Sequence, residues 1–125
     1  MNVLLSIKPE YVERIFSGSK KYEYRKAIFK KQNIKKVIVY STMPVGKIVG
    51  EFEIERIIED SPNNIWEQTQ EYSGVDKSFF DYYFNDRDKG YAIKISKVKL
   101  YDKPIDPKLK YEKFTAPQSF KYLAA

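Results

Sequence analysis

The sequence of 125 residues contains no cysteine and no histidine. Without cysteine the chain has no disulfide and no thiolate zinc site. Without histidine it lacks the usual general base, the Ser-His and Cys-His nucleophile pairs, and the ligand found in nearly all catalytic zinc sites. Any chemistry must therefore come from Lys, Arg, Asp, Glu, Tyr, Ser or Thr. Magnesium held by carboxylates is the remaining metal option, and the composition implies no cofactor.

Long apolar runs are also absent, since no stretch reaches the roughly 18 residues that a membrane span needs. The N-terminal residues, MNVLLSIKPE, have no basic segment before a short apolar stretch, so we expect a first strand there and not a signal peptide. We therefore expect a cytoplasmic protein without a membrane partner. The length suits one domain over residues 1–125, and an aromatic content of 16% is too high for a disordered chain.

The net charge of +6 is unevenly distributed. Residues 1–47 contain 11 basic and 3 acidic side chains, residues 48–87 contain 3 and 10, and residues 88–125 contain 9 and 4. If the two basic ends meet in the fold, they form one face that attracts a polyanion, most commonly nucleic acid. The alternative is an ordinary solvated surface, in a chain whose lysine content reflects the composition of its genome.

The basic-face hypothesis makes a structural prediction. The lysines of segments 8–36 and 89–121 should lie together, away from Glu51, Glu53 and Glu55. A surface on which basic and acidic side chains are mixed would remove the main support for binding of a nucleic acid strand.

Hydrophobic periodicity and turn residues predict the order β-α-β-β-β-α-α-β. We expect a strand at 3–7, a helix at 9–17 ended by Gly18, strands at 20–27, at 36–42 and from 48, helices from Ser61-Pro62 and at 76–84, and a strand from 91, with a bulge near Ser96-Lys97 and an end at Pro104 and Pro107. Residues 117–123 fit a short strand or a turn of helix. The bent strands favour an α+β fold built on a small β-barrel, with a helix after the first strand and helices inserted between later strands.

Alternation within the strands predicts one core, to which the following residues contribute: Leu4, Val39, Phe52, Ile54, Ile93 and Ile95. The first helix should pack across an open end of the barrel. The aromatic stripe at helical spacing, Phe79, Phe80, Tyr83 and Phe84, is interpreted as core packing, because such stripes are core far more often than ligand-binding sites.

A charged segment, GSKKYEYR at 18–25, follows the first helix directly. In a strand Lys21, Glu23 and Arg25 share one face and the two intervening tyrosines share the other. Residues two apart in a strand are about 7 Å apart at the backbone, so Glu23 and Arg25 can pair. Spacing alone favours a solvated charged face with tyrosines in the core.

The same segment, Gly18-x-Lys20-x-x-Glu23-x-Arg25, matches the G-x-K-x-x-E-x-R motif of the ASCH domain family, a member of the PUA-like superfamily of small β-barrels. Five further segments resemble the family's strands and its closing segment: LSIKP at 5–9, YST at 40–42, IVG at 48–50, GYAI at 90–93 and PQSF at 117–120. The resemblance covers nearly the whole chain. It implies a nearly closed barrel with a cleft that accepts RNA or a nucleotide-like ligand.

The resemblance also implies a set of ligand-binding residues: Ser6, Lys8, Lys20, Glu23, Arg25, Tyr40, Thr42, Tyr91, Gln118 and Ser119. Lys20 and Arg25 suit a phosphate group, Arg25 through its fork of donors. Glu23 suits a base amino group or the orientation of Arg25. Tyr40 and Tyr91 either stack on a base or pack in the core.

Some relatives of this family are enzymes. One similar group, the bacterial amidohydrolases of acetylated cytidine, uses a threonine nucleophile with a lysine and a glutamate. Lys20 falls at the place of that lysine, but Glu23 stands where the threonine is needed and cannot form the acyl-enzyme through a hydroxyl. Other ASCH proteins cleave RNA, a reaction that Lys20, Glu23 and Arg25 could serve as catalytic residues if this protein is an enzyme.

Three hypotheses therefore stand: a domain that binds RNA or a nucleotide, a hydrolase acting on RNA or a modified nucleoside, and an interaction module whose charges only maintain solubility. Salt dependence separates two ligand classes, because binding of a strand weakens steeply with salt and binding of a free nucleoside does not. The sequence identifies no protein partner.

Overall fold

The structure, a computed structural model, describes residues 1–111 and 113–124. The elements follow in this order: β1 (Asn2–Ile7), α1 (Pro9–Ser17), β2 (Tyr22–Arg25), β3 (Lys36–Ser41), β4 (Lys47–Asp60), α2 (Pro62–Thr69), a 3₁₀ turn (Gln70–Tyr72), α3 (Lys77–Tyr83), β5 (Gly90–Ile105), α4 (Pro107–Lys110) and β6 (Phe120–Leu123). The predicted elements all occur in the predicted order, and of the two alternatives for residues 117–123 the short strand is correct, over Phe120–Leu123.

All six strands form one sheet in the order β2-β5-β4-β3-β1-β6. The pair β1–β3 is parallel, and the other neighbours are antiparallel. The pairing of the long strands β4 and β5 contains three register shifts, and the pairing of β3 with β4 contains one. Such irregularities bend a strand, and the sheet curls into a half-barrel whose edge strands, β2 and β6, approach each other. The chain therefore has the expected α+β, PUA-like barrel fold.

Local chemistry accounts for several of these boundaries. Gly18 adopts a φ of 94°, and its N–H donates to Ile15 O, so a left-handed glycine ends α1 at the predicted residue. The Ser61 side chain accepts from Asn64 N at the start of α2. The predicted bulge in β5 is confirmed at Lys97, which has a φ of 48°.

β5 ends at Ile105, between Pro104 and Pro107, the two prolines at which its end is predicted. Pairing with β4 jumps from Gly50–Leu100 to Ile48–Ile105. Pro104 therefore lies in the unpaired part of the strand, where its missing N–H costs no ladder hydrogen bond. The helix α4 was not predicted.

Three apolar clusters pack on the sheet. The inner face, defined as the concave side, carries the largest cluster together with two residues of α1: Val3, Leu5, Ile7, Val12, Ile15, Phe29, Val37, Val39, Val49, Phe52, Ile93 and Ile95. On the outer face, α2 and α3 cover a second cluster: Tyr22, Tyr24, Ile58, Ile65, Phe80, Phe84 and Ala92. Leu4, Tyr40 and Ile48 form a third.

The predicted core is correct for Val39, Phe52, Ile93 and Ile95, and Ile54 packs against the same inner cluster. It is wrong for Leu4, which lies in the third cluster. Neighbouring strand residues point to opposite faces. Because Leu5 is on the inner face, Leu4 must be on the outer one.

The predicted separation of charge is also wrong. Lys36 Nζ lies 2.8 Å from Glu51 Oε2, Lys94 Nζ lies 2.8 Å from Glu55 Oε2, and Lys97 Nζ lies 3.9 Å from Glu53 Oε1. The strand order explains this result, because β4 with its glutamates lies between β3 and β5 with their lysines. The basic segments therefore do not form one face away from the acidic strand, and the charge distribution gives no support to binding of a nucleic acid strand. Within the described residues, no helix is long and apolar enough to cross a membrane.

Candidate functional site

The turn after α1 leads the chain directly into a group of buried charges. Lys20, Glu23 and Arg25 are 2%, 7% and 8% exposed. Glu23 pairs with Ile93 across the β2–β5 ladder and therefore points to the inner face. The tyrosines of β2 lie in the outer cluster. The interpretation of 18–25 as a solvated charged face is therefore wrong, although its tyrosines are in the core.

Arg25 joins the two edges of the sheet. Its Nη2 lies 2.8 Å from Glu23 Oε2 and donates to Ser6 O at 3.0 Å. Its Nη1 lies 3.3 Å from Ser119 Oγ and 3.5 Å from Ser119 O. Ser119 precedes β6, and β1 lies next to β6, so one guanidinium on the edge strand β2 bridges the gap in the half-barrel. The Arg25 Nε–H is buried and finds no hydrogen-bond partner among the described residues.

Lys20 occupies an aromatic and polar environment beside this pair. Its Nζ donates to Ser73 O at 2.7 Å and lies 4.8 Å from the centre of the Tyr24 ring and 5.5 Å from that of Tyr11. Burial lowers the pKa of Lys20 to about 8, a shift that the Glu23 charge opposes. A substantial fraction of this side chain is therefore neutral at mildly alkaline pH.

The Tyr72–Gly74 segment covers Lys20. Besides the Lys20 bond to Ser73 O, Lys21 N donates to Tyr72 O at 2.9 Å and Arg14 Nη1 donates to Gly74 O at 2.7 Å. Gly74 has a φ of +67°, and a Cβ there would collide with the aliphatic carbons of Lys20. Glycine is needed at this position for both reasons.

The other predicted ligand-binding residues are distributed unevenly around these charges. The Ser6 hydroxyl donates to Pro117 O at 2.6 Å, and the Ser6 carbonyl accepts a hydrogen bond from Arg25. Tyr91 is the partner of Arg25 across the β2–β5 ladder. Gln118 is exposed next to Ser119. The structure therefore brings Ser6 and Ser119 into contact with Arg25, with Tyr91 and Gln118 adjacent.

The described part of the structure shows no contact between these charges and three other predicted residues. Lys8 is exposed at the start of α1, where its carbonyl accepts from two backbone N–H groups of the helix. Thr42 N donates to Ile7 O at the end of β3. Tyr40 is 6% exposed on the outer face, with its ring 5.5 Å from that of Phe114. The core alternative therefore describes Tyr40, and the structure does not bring its ring to the charged group.

Sequence reasoning did not identify Ser73, whose carbonyl is the acceptor for Lys20. No local signal marks it, because the contact joins residues 53 positions apart. It also assigned Tyr83 to the core, whereas this ring is only half-buried. The helical spacing of aromatic residues shows which of them share a face, but not how far a face extends beyond the core.

Two shallow depressions lie elsewhere on the surface. One of about 360 Å³ is lined by residues of α2 and of the α3–β5 loop, including Ser61 and Arg87. The other, of about 350 Å³, lies beside Arg14 and Gly74. Neither is lined by Glu23 or Arg25. Among the residues that the structure describes, no group of three or more acidic side chains is placed to hold a metal ion.

Comparison with proteins of known sequence gives three informative relatives. The chain is 32% identical over 123 residues to the ATP synthase subunit alpha of Ureaplasma parvum, a match that covers 97% of this chain and 15% of that protein. It is 29% identical over 125 residues to the large ribosomal subunit protein uL22 of the same species, covering 97% and 39%. It is 26% identical over 90 residues to an ASCH domain-containing ribonuclease of Zymomonas mobilis, covering 72% and 61%. The chain thus spans less than two thirds of each of these relatives.

Solved structures agree with the fold. The crystal structure of ASCH from Zymomonas mobilis superimposes with a TM-score of 0.91 at 25% identity, covering 98% of this chain and 87% of that one. A Tyr→Phe variant of the same protein gives the same TM-score at 24% identity, covering 98% and 90%. The model of the ASCH domain matches residues 5–103, which include the whole charged motif, all of β2, β3 and β4, and parts of β1 and β5. The chain therefore belongs to the ASCH domain family.

Proposed function

We propose that this chain binds RNA and that Arg25, oriented by Glu23 and flanked by Ser6 and Ser119, is the centre of the binding site. The observation that carries the proposal is a buried guanidinium with an unpartnered Nε–H. Buried polar groups are nearly always hydrogen-bonded, so each exception needs an explanation. A phosphate oxygen that reaches this edge of the guanidinium would satisfy the free donor.

The charges around Arg25 support an anionic ligand. Two cations, Lys20 and Arg25, surround one carboxylate, Glu23, in a part of the protein from which water is largely excluded. Attraction of a phosphate is stronger there than at the solvated surface. The planar fork of arginine also suits phosphate geometry better than an ammonium group does. The relative named a ribonuclease supports RNA as the source of that phosphate.

A second candidate is an RNA-cleaving hydrolase, which the ionisation of Lys20 favours. A pKa of about 8 lets the Lys20 ammonium give up its proton near physiological pH, as a general acid requires. Lys20 is covered by the Tyr72–Gly74 segment, so this function requires that segment to move. In this reading Glu23 accepts the proton of the attacking hydroxyl, the Lys20 ammonium donates a proton to the leaving oxygen, and Arg25 stabilises the charge on the transferring phosphate.

Replacing Arg25 with lysine is expected to weaken binding of single-stranded RNA about tenfold, because loss of a charge-assisted hydrogen bond costs about 1.5 kcal/mol. Fluorescence anisotropy with a labelled oligoribonucleotide measures the affinity, and circular dichroism confirms the fold. Arg56→Lys makes the same chemical change at an exposed arginine of β4 and should bind like the wild type. Equal affinities for all three proteins contradict the assignment of Arg25 to the site.

If the hydrolase candidate is correct, the wild-type protein shortens a labelled RNA and Glu23→Gln slows this cleavage about 100-fold, since general acid–base groups contribute about that much. Gel electrophoresis of the reaction products measures the rate, with Arg56→Lys as the control. Intact RNA after incubation with folded wild type that binds it removes this candidate and leaves RNA binding standing.

A further inference from the structure

Three half-buried aromatic rings form a row at the margin of the apolar clusters, with Tyr11 packed against the inner cluster and Tyr83 against the outer one. Tyr11 comes from α1, and Phe79 and Tyr83 come from α3. The rings of Tyr11 and Phe79 are 5.6 Å apart, and those of Phe79 and Tyr83 are 6.1 Å apart with only 18° between their planes. Phe80 and Phe84, on the adjacent side of the helix, are 2% exposed. The aromatic stripe of α3 thus divides into a buried half and a half that reaches the surface.

The row runs alongside the charged group. At one end Lys20 Nζ lies 5.5 Å from the centre of the Tyr11 ring, and Arg14 Cζ lies 5.6 Å from the same ring. At the other end Lys26 Nζ lies 4.8 Å above Tyr83. Burial raises the pKa of Tyr83, and the Arg25 charge opposes this shift, which places the phenol within the field of the guanidinium.

We propose that the aromatic row, Tyr11, Phe79 and Tyr83, is the base-binding side of the site and takes unpaired nucleobases by stacking while Arg25 and Lys26 take the phosphates. This inference rests on the proposed function. The occupant is indicated by complementarity, because planar rings bordered by several cations match a ligand with planar bases and an anionic backbone. Lys26 is exposed, so its ammonium can leave the face of Tyr83 for a phosphate when a base arrives.

An apolar protein segment fits this surface less well. Docking of an apolar segment would bring Lys26 and Arg14 out of water without an anion to pair with, and burial of an unpaired charge is costly. Stacking on aromatic side chains tolerates every base. The proposal therefore predicts a preference for RNA that carries bases and little preference among base sequences.

The test compares an eight-nucleotide single-stranded RNA with an RNA of the same length whose central positions are abasic. Wild type should bind the complete RNA about tenfold more tightly, consistent with loss of one or two stacked bases. The double variant Phe79→Leu/Tyr83→Leu should bind both RNAs with the same, weak affinity. Tyr83→Phe keeps the ring and should behave like the wild type. The matched control is Tyr82→Leu, since Tyr82 is 81% exposed on the same helix, and it should also leave binding unchanged.

The outcomes separate the two proposals. If wild type binds complete and abasic RNA equally, and Arg25→Lys weakens both, the aromatic inference is wrong and RNA binding stands. If wild type binds neither RNA, both proposals are wrong. Equal binding of the two RNAs by the wild type overturns the inference even if the leucine variants fail to fold. Adenosine alone, binding as tightly as the oligonucleotide, would identify a free nucleoside and contradict a strand ligand.

Discussion

Replacing Arg25 with methionine is expected to lower the free energy of unfolding by about 3–5 kcal/mol, because removal of one partner leaves the other charge buried and uncompensated. The Glu23 and Arg25 side chains are each only 10% exposed. The Ser6 carbonyl loses its guanidinium donor as well, and the link across the open edge of the half-barrel is broken. Urea unfolding followed by circular dichroism measures the change.

Two further variants test whether Arg25→Met loses stability because the Glu23–Arg25 pair is buried. Lys77→Met breaks the exposed pair Lys77–Asp81, whose side chains are 60% and 54% exposed, and should cost less than about 1 kcal/mol. Glu23→Leu/Arg25→Met removes both buried charges and should recover much of the stability that Arg25→Met loses. An Arg25→Met protein as stable as Lys77→Met would mean that Arg25 does not hold the two edges of the sheet together.

Lys20 is expected to make stability depend on alkaline pH. Its folded pKa of about 8 lies below the ordinary value of 10.5, so between these values the unfolded chain binds more protons than the folded one. Stability therefore rises with pH in this window. The destabilising contribution of the buried charge is fully present below pH 8 and should shrink by about 2 kcal/mol between pH 8 and pH 10.

The measurement is the free energy of unfolding of wild type minus that of Lys20→Met, at pH 8 and at pH 10. The difference isolates Lys20 from the tyrosines, which act in the opposite direction. Burial raises the pKa of Tyr24 to about 12, so Tyr24 ionises first in the unfolded chain and lowers stability above pH 10. If this difference stays constant between the two pH values, burial does not lower the pKa of Lys20 in the folded protein.

Local rules predicted the parts of the fold that local chemistry determines. Pro9 and Gly18 delimit α1, Ser61 and Pro62 start α2, and the change of alternation near Lys97 marks a bulge, because each of these depends on neighbouring residues alone. The distribution of charge depends on strand order, which local rules do not give. The net charges of successive segments therefore suggested a basic face that the sheet order β5-β4-β3 does not form.

The motif identified the candidate site, but the sequence did not show that the charges of this site are buried. Alternation correctly placed Glu23 and Arg25 on one face of a strand, and it could not show that this face is the inside of the half-barrel. That outcome requires β2 to pair with β5 and Ser119 to approach from the far end of the chain. The Ser73 contact to Lys20 and the position of Phe79 beside the site likewise depend on packing between distant segments.

Mapping of amide chemical shifts on titration with a short single-stranded RNA tests the central claim most directly. If Arg25 is the centre of the binding site, the backbone amides of residues 20–26, Gln118, Ser119 and Ser6 should shift in the wild type, and these shifts should diminish in Arg25→Lys. Shifts confined to the lysine–glutamate pairs of β4 and β5, equal in the two proteins, would place binding on these two strands, away from Arg25, and contradict the account.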